Sequence, residues 1–163
     1  MNERPQGVVE CLQSLGIAFE RIDHPPVLTV AEAETHWHGI DAAHCKNLFL
    51  RNQKGDRHYL VILTHSKRAD LRQVADQIGD GKLSFASPER LMKHLGVTPG
   101  AVSPFGLLND ADRQVRVFID RDLKEAARVT FHPNDNTATF VLAFADFERF
   151  LLHVGHPVRF MSI

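Results

Sequence analysis

The spacing of apolar residues changes period several times along the chain. Val8, Val9, Leu12 and Leu15 recur at helical spacing over 5–15, with Pro5 suited to a first turn and Gly16 to a C-terminal stop. Ile17, Phe19 and Ile22 predict a short strand over 17–23, which His24-Pro25-Pro26 breaks. Thr29 and Glu32 have capping-box spacing, in which each side chain satisfies a free N–H at a helix start, so a helix over 30–37 follows. β-formers dominate 45–50 and 58–64, and Asn52-Gln53-Lys54-Gly55-Asp56 between them is hairpin-turn chemistry. A helix over 70–78 closes at Gly79. A second helix opens at Ser87-Pro88-Glu89 and ends at Gly96. Strands are expected over 115–120, 127–132 and 137–143. A helix spans 146–154, and 157–163 returns as an edge strand.

Residues 97–110 break the usual rule that loops are polar. They are mostly apolar, with Gly100, Pro104 and Gly106 at their centre, so the segment is expected to pack against something. Strands outnumber what a simple βαβ alternation requires. The pattern predicts one α+β domain over 1–163, with a mixed, mainly antiparallel sheet surrounded by helices.

Composition narrows the class. With 44% hydrophobic and 24% charged residues, the 163-residue chain reads as an ordinary globular domain. No segment approaches the roughly 18 apolar residues that span a bilayer, and no apolar h-region follows Met1 to Pro5. A cytoplasmic protein with no membrane partner is expected. Cys11 and Cys45 are then two reduced thiols rather than a disulfide. The net charge of −1 leaves no general basic excess, so any RNA contact must be a local patch and transient.

Several chemistries lack their residues. The chain has no Gly-rich phosphate loop, CxxC pair, HExxH or GxSxG elbow, which argues against an NTPase, a nicotinamide enzyme, a structural zinc protein and a typical serine hydrolase. His36, His38 and His44 are the closest metal-like group, but ligands two apart on a helix diverge; neither a metal nor another cofactor is expected. Lys46 is the first positive candidate. Strand alternation puts Lys46, Leu48 and Leu50 on one face and Asn47, Phe49 and Arg51 on the other. A lysine beside two core leucines is partly desolvated and needs an anionic partner or a function; the plain alternative is a lysine snorkelling from a strand end. The loop Gly100 to Pro104 is the second candidate, able to aim backbone N–H groups at an oxyanion or to be a plain connection. His132-Pro133-Asn134 is either a polar pocket wall or a turn.

Five stretches together resemble the YbaK/ProX family of trans-editing domains, most closely its free-standing alanyl-tRNA(Pro) deacylase branch. They are His24-Pro25-Pro26 with Thr29 and Glu32, the lysine strand Lys46 to Arg51, His58 to Val61, Leu95 to Gly106 with its GxxxP loop, and His132-Pro133. The resemblance implies that Lys46 contacts the aminoacyl ester or the 3′-terminal adenosine and its phosphate. It also implies that Gly100 to Pro104, including Ser103, surround the scissile carbonyl, and that Asn47 and His132 are pocket positions, with Thr29 beside them. It implies no metal.

Hydrolysis of mischarged alanyl-tRNA(Pro) in trans is the activity this implies, by direct water attack, since no Ser or Cys nucleophile with a matched base is evident. The tRNA 2′-hydroxyl is a candidate proton carrier. Val27, Leu28 and Phe49 are candidate walls of a pocket that admits alanine and excludes proline. Such a second sieve is needed because small apolar differences discriminate by only about 1–3 kcal/mol. Arg51, Lys54, Arg57, Lys67, Arg68 and Arg72 are candidate contacts to the 3′ end and acceptor stem of tRNA(Pro), or plain surface charges. Prolyl-tRNA synthetase or an elongation factor is a candidate carrier. The competing readings are a deacylase for cysteine or another small amino acid, and a non-catalytic module that binds tRNA ends or a synthetase.

Overall fold

The structure, a computed structural model, describes residues 3–26, 30–37 and 39–163. Val27, Leu28, Thr29 and His38 lie outside the described residues, and with them the expected capping box and two expected pocket walls.

Helix α1 (Glu3–Ser14) buries Val8 and Leu12 and stops at Gly16, whose φ of +67° suits glycine. Ile17 continues this closure, its N–H donating to the Leu12 carbonyl at 2.9 Å, so strand β1 (Phe19–Asp23) starts later than alternation suggests. After α2 (Val30–Trp37), β2 (Ala43–Asn52) and β3 (His58–Thr64) form a long hairpin. Asn52 closes its turn, Oδ1 accepting from the Asp56 and Arg57 N–H groups, each at 3.1 Å. Helix α3 (Leu71–Ile78) is capped by the Asp70 carboxylate, and α4 (Pro88–Leu95) by the Ser87 hydroxyl. Between them lies β4 (Leu83–Phe85), which the sequence does not predict because three residues are too few to show a period.

Residues 97–110 do pack inward, as two 3₁₀ turns, Pro99–Ala101 and Pro104–Asn109. Gly106 permits this: a Cβ there would sit 2.9 Å from Leu95 Cβ and 3.1 Å from the Leu95 carbonyl oxygen. The chain continues through β5 (Val115–Asp120), a 3₁₀ turn (Arg121–Glu125), β6 (Arg128–Phe131), β7 (Ala138–Ala143), α5 (Phe144–Val154) and β8 (Val158–Met161).

One mixed sheet runs β1-β7-β6-β2-β3-β5-β8, with β4 also on β2. The pairings β1–β7, β2–β3, β2–β4 and β6–β7 are antiparallel; β2–β6, β3–β5 and β5–β8 are parallel. The expected α+β, mainly antiparallel architecture is observed, with β8 at the edge. A large core on one face joins Phe49, Leu60, Ile62, Ile119, Phe131 and Phe140 to residues of α1, α4 and α5. A smaller core on the other face joins Leu50, Tyr59, Val61 and Leu63 to Val74 and Ala75 of α3.

The sheet opens at β2. Its parallel pairing with β6 covers only Ala43↔Val129 and His44↔Thr130. Further along, the Phe49 carbonyl accepts from Ala86 N–H at 2.9 Å, and Leu50 to Asn52 pair with β4. In between, residues 45–48 have a strand partner on the β3 side only.

Candidate active site

Lys46 stands at this opening. His44 Nδ1 and Thr130 Oγ1 are 3.2 Å apart, so these register partners share a face. Two residues on along each parallel strand come Lys46 and, just past β6, His132. The two are therefore level, on the same face, with the opening between them. The Lys46 ammonium is half-buried, and burial, then the charge of Arg68, lowers its pKa. Among the described residues no carboxylate lies within ion-pair distance of it. A partly desolvated cation without a counterion is a place for an anionic or strongly polar ligand.

His132 is held in one tautomer. Its Nδ1 donates to the Ala138 carbonyl at 2.8 Å, so Nε2 carries the lone pair. Burial is the main cause of its lowered pKa; the charge of His24 adds to that, and the bond to Ala138 opposes it. The imidazole is thus kept neutral. His24 braces it from the side, with ring centroids 5.8 Å apart. His24 Nδ1 donates to the Pro25 carbonyl at 2.9 Å, so its Nε2 accepts from the Thr139 hydroxyl at 2.8 Å. His36 stacks on His24 at 5.3 Å, and Trp37 stacks on His44 at 4.4 Å.

The sequence reading missed Trp37, which stacks on His44, and Thr139, whose hydroxyl meets His24 Nε2. The alternation His44-Lys46 and Thr130-His132 carried a signal, but only the β2–β6 pairing makes the two runs adjacent. Among the described residues no three His, Cys, Asp or Glu side chains come together as a metal-binding group.

The other expected residues divide. Asn47 lies at the opening on the opposite face, and its buried Oδ1 has no hydrogen-bond partner among the described residues. Gly100 is exposed beside the β6–β7 turn, where a Cβ would meet Asn136 Nδ2 at 3.0 Å. Ser103 is fully buried and caps the second 3₁₀ turn, its hydroxyl accepting from Phe105 N–H at 3.1 Å, and Pro104 is buried beside it. Phe49 is 4% exposed, in the large core, where it stacks on His58. Lys67 is not a free cation: its ammonium is 2.6 Å from both Asp120 and Asp122, which raise its pKa. Arg51 is half-buried, whereas Arg57, Arg68, Lys54 and Arg72 are exposed.

The model of the aminoacyl-tRNA editing domain family matches residues 24–150, from His24 to a point well past His132. The chain belongs to that family. This editing domain is 43% identical over 162 residues to the prolyl-tRNA editing protein ProX of Acetoanaerobium sticklandii, covering 97% of this chain and 96% of that protein. It is 36% identical to prolyl-tRNA synthetase associated domain-containing protein 1 of Bos taurus, covering 89% of this chain and 86% of that one. A solved structure, provisionally assigned as a trans-editing enzyme for prolyl tRNA synthetase, superposes with a TM-score of 0.73 at 21% identity, over 100% of this chain and 99% of that one; it shows the shared fold. As a member of this family the editing domain is a hydrolase of the aminoacyl-tRNA ester bond, and aminoacyl-tRNA is its substrate class. No helix among the described residues is long and apolar enough to cross a membrane.

Proposed function

We propose that the chain hydrolyses alanine from mischarged tRNA(Pro), in trans and in the cytoplasm. The observation that carries this reading is the Lys46 ammonium, without a carboxylate partner among the described residues, level with a neutral His132 across the opening of the sheet. The likeness to a prolyl-tRNA editing protein over nearly the whole chain supports the choice of tRNA.

In this reading Lys46 binds the 3′-terminal adenosine at its phosphate or polarises the ester. His132 Nε2 orients the attacking water and takes up its proton as the carbonyl becomes tetrahedral. The exposed Gly100 leaves room for the carbonyl to approach the backbone, whose N–H groups stabilise the oxyanion. Asn47, whose Oδ1 has no partner among the described residues, reaches the opening from the opposite face and offers that acceptor to the substrate's ammonium or hydroxyl. The tRNA 2′-hydroxyl passes a proton to the departing 3′-oxygen and is reprotonated by the His132 imidazolium, which returns to its neutral form. A closed pocket rejects proline because its ring exceeds the volume that alanine fills, and overpacking costs about 1–3 kcal/mol. Arg68 and Arg57 supply phosphate contacts, and prolyl-tRNA synthetase or an elongation factor delivers the substrate.

Deacylation of alanyl-, prolyl- and cysteinyl-tRNA(Pro) by the wild type and Lys46→Ala tests this. Alanine alone should be released. The variant should lose about 100-fold in kcat/KM, the scale of one transition-state contact worth about 3 kcal/mol. Release of cysteine in preference to alanine would move the assignment to the cysteine alternative. Inactivity on all three would leave a non-catalytic binding module.

A further inference from the structure

A second cavity lies away from Lys46. It is a cleft of about 980 Å³ at the closed end of the β2–β3 hairpin, between the turn at 55–58, the start of α4 and the segment leading into β5. Five cations line it, Arg57, Arg90, Lys93, Arg113 and Arg116, against three carboxylates, although the chain as a whole is slightly acidic. Among the described residues none of the five cations is in an ion pair.

Two of the guanidinium groups are fixed in place by backbone. Arg90 Nη1 donates to the Gly55 carbonyl at 2.9 Å and to His58 Nε2 at 3.1 Å. Arg113 Nε donates to the Val154 carbonyl at 2.8 Å. Each lies against a left-handed glycine: a Cβ on Gly55 would meet Arg90 Nη2 at 2.8 Å, and one on Gly155 would meet Arg113 Nε at 2.9 Å. Neutral carbonyls hold the groups still without cancelling their charge, and they leave N–H donors unused. Planar, pre-positioned, un-neutralised arginines suit phosphate oxygens. The buried His58 registers the local field: burial first, then the charges of His94, Arg90 and Lys93, push its pKa down to about 4.

We propose that this cleft holds the phosphodiester backbone of the RNA substrate, near the junction of its single-stranded 3′ end with the acceptor stem. The inference rests on the editing reading above. Lys46 and Arg51, the residue paired with His58, are five strand positions apart, or about 17 Å at 3.3 Å per residue. Arg51 faces away from Lys46, so the RNA backbone rounds the end of the sheet between the ester and the cleft. An enzyme with no general basic excess thus concentrates its positive charge where the stem begins.

The test is binding of uncharged tRNA, followed by fluorescence anisotropy at several salt concentrations, for the wild type and the double variant Lys93→Glu/Arg116→Glu. Both side chains are exposed and lie outside the residues assigned to the ester. Kd should rise about tenfold or more, and the slope of log K against log salt should shrink by about two. Hydrolysis of an alanylated trinucleotide mimic of the 3′ end, too short to reach the cleft, should keep its wild-type kcat/KM. Unchanged tRNA affinity and slope would overturn the proposal, as would an equal loss on the trinucleotide. Unchanged tRNA binding with lost affinity for prolyl-tRNA synthetase would overturn it in favour of a protein partner. If the wild type deacylates nothing but binds tRNA in a cleft-dependent way, the cleft stands and the editing reading falls.

Discussion

Asn47 buries an acceptor with no described partner, a group that costs about 1–3 kcal/mol to leave unpaired. In the proposed reading a substrate takes up that oxygen. Asn47→Leu is therefore expected to raise stability to urea by about 1 kcal/mol while lowering deacylation at least tenfold. A variant both less stable and fully active would contradict the assigned role. His132 makes a second prediction at this scale. Its pKa lies below the ordinary 6.5, so Nε2 keeps its lone pair through neutral pH and loses it only when pH falls through that lowered value. The profile of kcat/KM should accordingly show an acid limb with its midpoint below about 6.5. His132→Asn should be slow at every pH and show no such limb, whereas the same limb surviving in the variant would assign it to another group.

At the scale of elements, the sheet is tied together by a contact that looks like surface chemistry in the sequence. Lys67, between β3 and α3, reaches Asp120 at the end of β5 and Asp122 in the following turn, and also donates to the Ile163 carbonyl at 3.3 Å. Asp120 is 1% exposed and Lys67 31%. Removing the lysine strands a buried carboxylate, a loss of about 3–5 kcal/mol for a fully buried pair and nearer 2 kcal/mol here, where water reaches the lysine. Lys67→Ala should lower the urea midpoint accordingly and leave the KM for tRNA unchanged. A raised KM at unaltered stability would restore Lys67 to the RNA-binding set. In the GxxxP loop Gly100 is exposed beside Asn136, whereas Ser103 and Pro104 hold the turn behind it.

Across the whole molecule, buried histidines link stability to pH. His58 is 5% exposed, its ring 4.1 Å from that of His94, and its pKa is pushed down from 6.5 to about 4. The unfolded chain takes up this proton near pH 6.5; the folded chain refuses it until about 4. Stability is complete above the higher value and is lost as pH falls between the two, by on the order of 3 kcal/mol from this group alone. His94 and His132, also lowered, act in the same direction. Urea midpoints measured at pH 7 and pH 4.5 should therefore separate clearly, and His58→Phe should narrow the gap. A wild-type midpoint independent of pH over that range would show that His58 is protonated in the fold.

What the sequence determined by itself was whatever local periodicity and chemistry specify. Helix ends at Gly16, Gly79 and Gly96, caps at Asp70 and Ser87, and the alternation that puts Lys46 beside Leu48 follow from neighbours a few residues away. Motif spacing was enough to mark the family and to single out Lys46, Asn47, Gly100 and His132. Tertiary structure decided which of these face the same space. The β2–β6 pairing that ends after His44↔Thr130 sets Lys46 and His132 on the same face of the opening, although 86 positions separate them. No local pattern encodes where a ladder stops. Nor could sequence tell a cation with no described ion-pair partner from a paired one: Lys67 and Lys46 look alike until Asp120 arrives from β5. The basic cleft is likewise assembled from separate turns, each unremarkable in sequence, whose arginines are fixed by carbonyls that only the fold brings within reach.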